Sequence, residues 1–311
     1  MSAGERIGSD RATITTVRLG LHALGIGTGA RRAVIDAVAV AAENHGVATL
    51  WAGEHVVMVD PATNTGRPAS RYPYSADGRI AVPADADWLD PMIGLSFAAA
   101  VTRTIRLATG VLLVAEHNPV VLAKQAATLD VLSGGRLTLG VGIGWSREEF
   151  EALGVPFARR ADRAVEYVAA MRTLWHDDPA TFDGEFARFD AVRVNPKPAG
   201  RVPVFLGGNS DAALRRVATV GDGWYGFNLA GVDAIAERTG RLRELCREVG
   251  RDGAEPTVAV APARPDVRDV DALAAAGVDE LVLVEAPPGE PAAASRWVAQ
   301  LADRWMPALR G

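Results

Sequence analysis

The sequence predicts a (β/α)8 (TIM) barrel, and three observations lead there. Apolar, β-branched runs of strand length alternate with segments of helical period eight times along 311 residues, the pattern of parallel strands joined by crossover helices. The stretch IRLATGVLLVAEHNPVVLAKQAATLDVLSGGRLTLGVGIGW, residues 105–145, contains one complete strand-helix-strand unit. No shift of composition and no linker marks a boundary, so residues 17–311 read as a single domain behind a flexible extension of sixteen residues.

Taken in order, residues 17–24 form a first strand, 31–45 a helix stopped at Gly46, and 48–55 a second strand. The segment 56–87 is irregular. It carries Pro61, Pro68, Pro73 and Pro83 with Tyr72, Tyr74, Arg67, Arg71 and Arg79, and a loop of this length with aromatic and basic content reads as a lid. Pro91 opens the next helix. Residues 105–114 are the third strand; Pro119 starts a helix that ends at Ser133, Gly134 and Gly135; Arg136 begins the fourth strand. A long helix over 160–175 follows, then an Asp183-Gly184 turn between aromatic arms, which predicts a small hairpin outside the repeat. Strands at 202–206, 223–228, 257–261 and 280–284 alternate with helices at 211–220, 233–249, 269–276 and 292–309.

Net charge of -5 with pI near 5.6 argues against nucleic acid or an anionic membrane surface as the partner, and leaves a small-molecule substrate. No signal-like apolar segment begins the chain and no run of about eighteen apolar residues follows; a cytoplasmic location is expected. The single cysteine, Cys246, excludes an internal disulfide and lies in an Arg- and Glu-rich helical segment, where a structural thiol is the plain reading.

In a barrel, chemistry belongs at the C-terminal ends of the strands. Gly140, Gly142 and Gly144 recur at period two, so one face of the fourth strand is bare; it could accept a flat ring, or it could supply the small inward residues that a tapering barrel needs. In LGGNSDAALRR a strand runs through Gly207 and Gly208 into a helix with Asn209 or Ser210 as N-cap, which could hold a phosphate on free N–H groups, or could be an ordinary capped helix with Asp211 answering its dipole. A side chain at Gly208 is expected to block the anion at modest cost in stability. Glu54, His55, Glu116 and His117 end the second and third strands. Chain neighbours there face opposite ways, so no metal site is predicted. A glycosidase is disfavoured because the fourth strand ends in Gly-Trp and the seventh in Ala-Pro. A competing fingerprint, Gly25, Gly27 and Ala30 with Glu54 as ribose ligand, suggests a nicotinamide dehydrogenase.

The runs TGVLLVAEHNPVVLAKQAATLDVLSGGRLTLGVGIGWSREEFEALGVPFARRADRAVEY, FDAVRVNPKP and VPVFLGGNSDAALRRVATVGDGW resemble the luciferase-like monooxygenase superfamily, and within it the deazaflavin-dependent oxidoreductases. The resemblance covers nearly the whole chain after residue 16. It implies a luciferase-like barrel, a homodimer, and coenzyme F-420 (8-hydroxy-5-deazaflavin) or FMN in the mouth. It further implies phosphate contacts from Gly207, Gly208, Asn209 and Ser210, ring contacts from Thr109, Gly110 and Val111, fourth-strand contacts from Gly142, Gly144 and Trp145, and an acid-histidine pair at Glu54 and His55. A bulge with a cis peptide between Gly110 and Val111 is part of that resemblance. One departure is Trp145, which stands where some deazaflavin dehydrogenases carry a catalytic glutamate. The implied activity is hydride transfer between the coenzyme and a small organic substrate under the lid, with His55 as the catalytic proton donor or acceptor. An FMN-dependent monooxygenase and a non-catalytic cofactor-binding protein are the other readings.

Overall fold

The computed structural model describes residues 17–59, 70–251 and 255–309. The chain runs through β1 (Arg18–Leu24), α1 (Arg32–Asn44), β2 (Thr49–Ala52), α2 (Pro91–Val101), β3 (Arg106–Thr109), β4 (Leu112–Leu113), α3 (Pro119–Ser133), β5 (Leu137–Gly142), α4 (Arg147–Ala152) and α5 (Arg160–His176). It continues with β6 (Ala180–Asp183), β7 (Arg188–Val192), β8 (Val204–Gly207), α6 (Asp211–Val220), β9 (Gly223–Leu229), α7 (Val232–Glu248), β10 (Thr257–Pro262), α8 (Val270–Ala275), β11 (Glu280–Val284) and α9 (Pro291–Leu309). Parallel pairing runs β3-β2-β1-β11-β10-β9-β8-β5, and β3 pairs with β5 to close the ring. β4 continues β3 along the same neighbour, which completes the eight-stranded barrel predicted from sequence. The extension at residues 1–16 lies outside the described residues. Among those described, no helix is long and apolar enough to cross a membrane.

Local chemistry sets the helix starts. Asp90 accepts from Ile93 N before Pro91, and Asn118 accepts from Val120 N and Val121 N before Pro119, so each proline occupies the first turn, where no N–H is needed. β6 and β7 pair antiparallel with Phe182 opposite Phe189, the hairpin expected around Asp183-Gly184. Two elements depart from expectation. The second strand ends at Ala52 instead of 55, and α4, which the sequence reading did not contain, follows β5.

The third strand is interrupted. Ala108 pairs with Thr138 and Leu112 with Val141, so four steps on one strand face three on the other, a bulge centred on Gly110 and Val111. The Gly110-Val111 peptide is cis.

Inside the barrel Trp51 stacks on Tyr225 at 4.7 Å, with Phe205, Ala108, Ala259, Ala261 and Val282 around them. Below this layer, at the N-terminal ends of the strands, buried Glu280 accepts from Trp51 Nε1 (2.8 Å) and Thr49 Oγ1 (3.1 Å) and faces Arg18 at 3.7 Å. A carboxylate sunk in a barrel stays charged only with such partners.

The closed ring also removes the dinucleotide reading, which needs an open doubly wound sheet. The loop of Gly25, Gly27 and Ala30 spends its N–H groups on Gly29 O, Asp87 O and Gly27 O, leaving those donors no pyrophosphate to cradle. Glu54 points elsewhere, as described next.

Candidate active site

The mouth of the barrel is built around a contact between β2 and the short helix α4. Ser146 caps α4 by accepting from Glu149 N at 3.3 Å. Glu149, fully buried, sends its carboxylate across to the loop after β2: Oε1 accepts from Val56 N (2.7 Å) and Val57 N (3.1 Å), and Oε2 takes His55 Nδ1 at 2.8 Å. Both oxygens are thereby occupied by donors, which assigns the Nδ1–H tautomer to His55 and leaves Nε2 to work. Trp88 and Trp145 stand edge-on to the imidazole at 4.9 and 5.7 Å and hold its plane.

Glu54, adjacent in sequence to His55, faces the other way. It accepts from Leu113 N (2.6 Å) and from His117 Nε2 (3.0 Å), and its own N–H donates to Val111 O, so it fastens β2 to the far side of the bulge. Burial pulls His117 down, but the hydrogen bond and charge of Glu54 outweigh it and the net shift is upward. A third carboxyl, Glu116, is 8 % exposed, and neither of its oxygens has a partner among the described residues. Burial, reinforced by the charges of Glu149 and Glu54, pushes it up to about 9, so it carries a proton at neutral pH. Among the described residues no three such side chains converge as a metal site.

The third component lies after β8. Ser210 Oγ accepts from Ala213 N to cap α6, while Asn209 locks Phe227 through both its backbone groups (2.7 Å to O, 3.3 Å from N). The N–H groups of Ser210, Asp211 and Ala212 donate to nothing among the described residues. Beside them Tyr74 leans on Phe227 at 5.6 Å, and Arg216 of α6 makes no hydrogen-bonded ion pair among those residues. Burial lowers Arg216, Tyr74 and Asp162 pull it partly back up, and the guanidinium of Arg160 lowers it further. Unspent N–H donors next to crowded positive charge fit a phosphate.

Residues 14–306 match the luciferase-like monooxygenase family. The chain belongs to that family. It is similar to an uncharacterized protein of Mycobacterium tuberculosis (strain ATCC 25618 / H37Rv), 38% identical over 229 residues, covering 72% of this chain and 77% of the relative. It is also similar to an FMNH(2)-dependent dimethylsulfone monooxygenase of Pseudomonas fluorescens (strain Pf0-1), 39% identical over 129 residues, 40% of this chain and 35% of the relative. Its fold is shared with an F-420-dependent secondary alcohol dehydrogenase solved with an F-420-acetone adduct, at TM-score 0.72 and 17% identity over 95% of this chain and 100% of that one.

Within this luciferase-like frame the residues singled out from sequence divide by role. His55, Val111, Gly144, Trp145, Gly207, Gly208, Asn209 and Ser210 all lie at or just beyond the C-terminal ends of their strands. Thr109 does not: it is fully buried and its hydroxyl donates to Gly140 O at 2.6 Å, so it holds the bulge from beneath. Glu54 and His55 are no pair, since each is bonded to a different partner. The three glycines do not form one open face. A Cβ on Gly140 would strike the Thr109 carbonyl, one on Gly142 would stand 2.7 Å from a Val111 methyl, and Gly144 has left the strand at φ 75°. Val111, projecting from the bulge, fills the space that the spacing alone suggested for a ring. Gly208 also needs correction, because its φ of 107° and the 2.9 Å approach of Ala213 to any Cβ there make a substitution costly to the loop itself. Sequence reasoning missed Glu149. Ser146-Arg147-Glu148-Glu149 has the Ser-x-x-Glu form of a capping box, a signal that would have located α4 while mistaking where its glutamate reaches.

Proposed function

We propose that this protein is an oxidoreductase that transfers a hydride between coenzyme F-420 and a small organic substrate. The observation that carries the reading is the His55-Glu149 pair: an imidazole fixed by a buried carboxylate, edge-on to two indoles, with Nε2 directed away from its anchor. When bound, the coenzyme would supply the hydride-transfer chemistry. Ser210, Asp211 and Ala212 would hold its phosphate through N–H groups, with Arg216 and Arg160 adding charge, and the Gly110-Val111 bulge would back its ring. His55 gives a proton to, or takes one from, the substrate oxygen at Nε2, while Glu149 stabilises the imidazolium in the charged phase. Tyr72, pushed above its usual range by burial and by Tyr74, stays protonated and packs edge-on to Trp145 at 5.3 Å.

A second reading, an FMN-dependent monooxygenase, is favoured by the 39% identity to the dimethylsulfone enzyme. Titrating the purified protein with F-420 and with FMN, oxidised and reduced, and following fluorescence separates the two. Tighter binding of F-420 without oxygen uptake supports the first, tighter FMN with oxygen uptake the second, and binding of neither overturns both. The homodimer belongs to the same proposal. Ile93, Phe97 and Val101 make an exposed apolar stripe at helical spacing on α2, 61% exposed at Ile93. Ile93→Glu should turn a dimer into a monomer in sedimentation.

A further inference from the structure

At the N-terminal end of the barrel, opposite the mouth, lies a cavity of about 370 Å3 that no step of the proposed reaction uses. Its walls are the starts of strands around the ring, and Trp51 and Phe205 of the inner aromatic layer close it from above. The volume is that of a small-molecule pocket, on a face that in barrels of this kind ordinarily serves stability. Four guanidiniums line it, those of Arg18, Arg106, Arg201 and Arg251, against the carboxylates of Asp222, Glu255 and Glu280.

Two of these arginines are already spent. Arg201 is bonded to Asp222, which also takes Arg172 and Val204 N, and Arg251 donates to the carbonyls of Val217, Ala218 and Gly221. Glu255 stands 3.6 Å from Arg243. Arg18 and Arg106 differ. Their side chains are 40% and 45% exposed, make no hydrogen bond among the described residues, and approach the same oxygen, Glu280 Oε2, at 3.7 and 4.0 Å. That carboxylate also accepts from Trp51 and Thr49. Two cations thus share one anion, and one positive charge is left over beside an open space. The hydroxyls of Thr138 and Thr257 line the same space and are likewise without a hydrogen bond among the described residues.

Independently of the coenzyme, we propose that this cavity is a second ligand site, which takes a small organic monocarboxylate with a flat apolar body. The carboxylate lies between Arg18 and Arg106, whose planar forks match its shape and whose surplus equals the one charge it carries. Thr138 and Thr257 donate to its oxygens, and the apolar body lies against Trp51 and Phe205.

The test uses benzoate as the probe, titrated into the full chain by calorimetry, with 15N-tryptophan spectra recorded alongside. Benzoate should bind one to one and move the assigned Trp51 indole resonance while that of Trp145, at the mouth, stays in place. Arg106→Gln, which changes a half-exposed side chain without a hydrogen bond, should weaken benzoate about tenfold, the loss of one charge-assisted contact. Arg18→Gln should do the same, and stands in if the first variant melts early. Benzyl alcohol, with the ring but no charge, should bind the wild type at least about tenfold more weakly than benzoate. Absence of benzoate binding, equal affinity in the folded variants, or equal affinity for benzyl alcohol overturns the proposal. A shift of Trp145 in place of Trp51 puts the probe in the mouth and overturns it as well, and tighter binding of inorganic phosphate than of benzoate removes the carboxylate assignment. No arm uses the coenzyme, so these outcomes are separate from those of the F-420 and FMN titrations.

Discussion

The two ends of the barrel differ in how far their buried polar groups are partnered. At the N-terminal end Glu280 accepts from an indole N–H and a hydroxyl, with Arg18 Nε, itself without a hydrogen-bond partner among the described residues, 3.7 Å away. At the C-terminal end His22 Nε2, both oxygens of Glu116 and Trp145 Nε1 are buried without a partner among the described residues. The same strands carry both layers, so the difference is one of sequence at strand ends. Matched groups stabilise the fold; unmatched ones cost stability and are tolerated where something else is to be bound.

The comparison can be broken most directly by exchanging its two carboxylates for apolar groups. Glu149→Ala strands Val56 N–H, Val57 N–H and His55, at about 1–3 kcal/mol for each donor left bare, and should lower both the denaturation midpoint and turnover steeply. Glu280→Ala should lower the midpoint comparably and leave coenzyme affinity unchanged; a fall in affinity would show that the lower layer is part of the site. His55→Gln comes next. Coenzyme affinity should hold while turnover drops about 10²-fold, and equal turnover would remove His55 from the chemistry. The smallest effect concerns Glu116. Because the folded carboxyl titrates at about 9 and the unfolded one in the ordinary carboxylate range, the native state keeps a proton that the unfolded chain has shed across that window. Stability contributed by the protonated form is complete below the unfolded value and is lost as pH rises through about 9. Glu116→Gln should therefore flatten the alkaline decline of the melting temperature, and an unchanged slope would mean that Glu116 has a partner in solution.

Much of this was legible from the residues in order. Alternation of β-branched runs with helical segments gave the barrel because each unit is local, and Pro91 and Pro119 marked helix starts because proline has one tolerable place in a helix. The glycine pattern at 140, 142 and 144 was visible too, yet what fills the space beside it depends on Val111, a residue of the neighbouring strand whose projection is set by a bulge. Glu149 escaped for the same reason: nothing within a few residues of it says that its carboxylate will cross to Val56. His22 looked like any residue of a strand, since its hydrogen-bond partner Tyr225 lies 203 positions away.

Helix α4 has one more consequence. Its Glu149 grips the chain at Val56 and Val57, and its Glu148 accepts from Ser70 N at 2.9 Å, while Arg147 N donates to Ser70 Oγ. Both stems of the segment between these points are clamped to the same six-residue helix, so the gap that the segment must span is set by the scaffold and not by the segment. Lengthening a loop between fixed ends costs only about 0.6 kcal/mol per doubling. Exchanging the residues between Val57 and Ser70 should therefore leave the clamp, the histidine and the barrel below as they are.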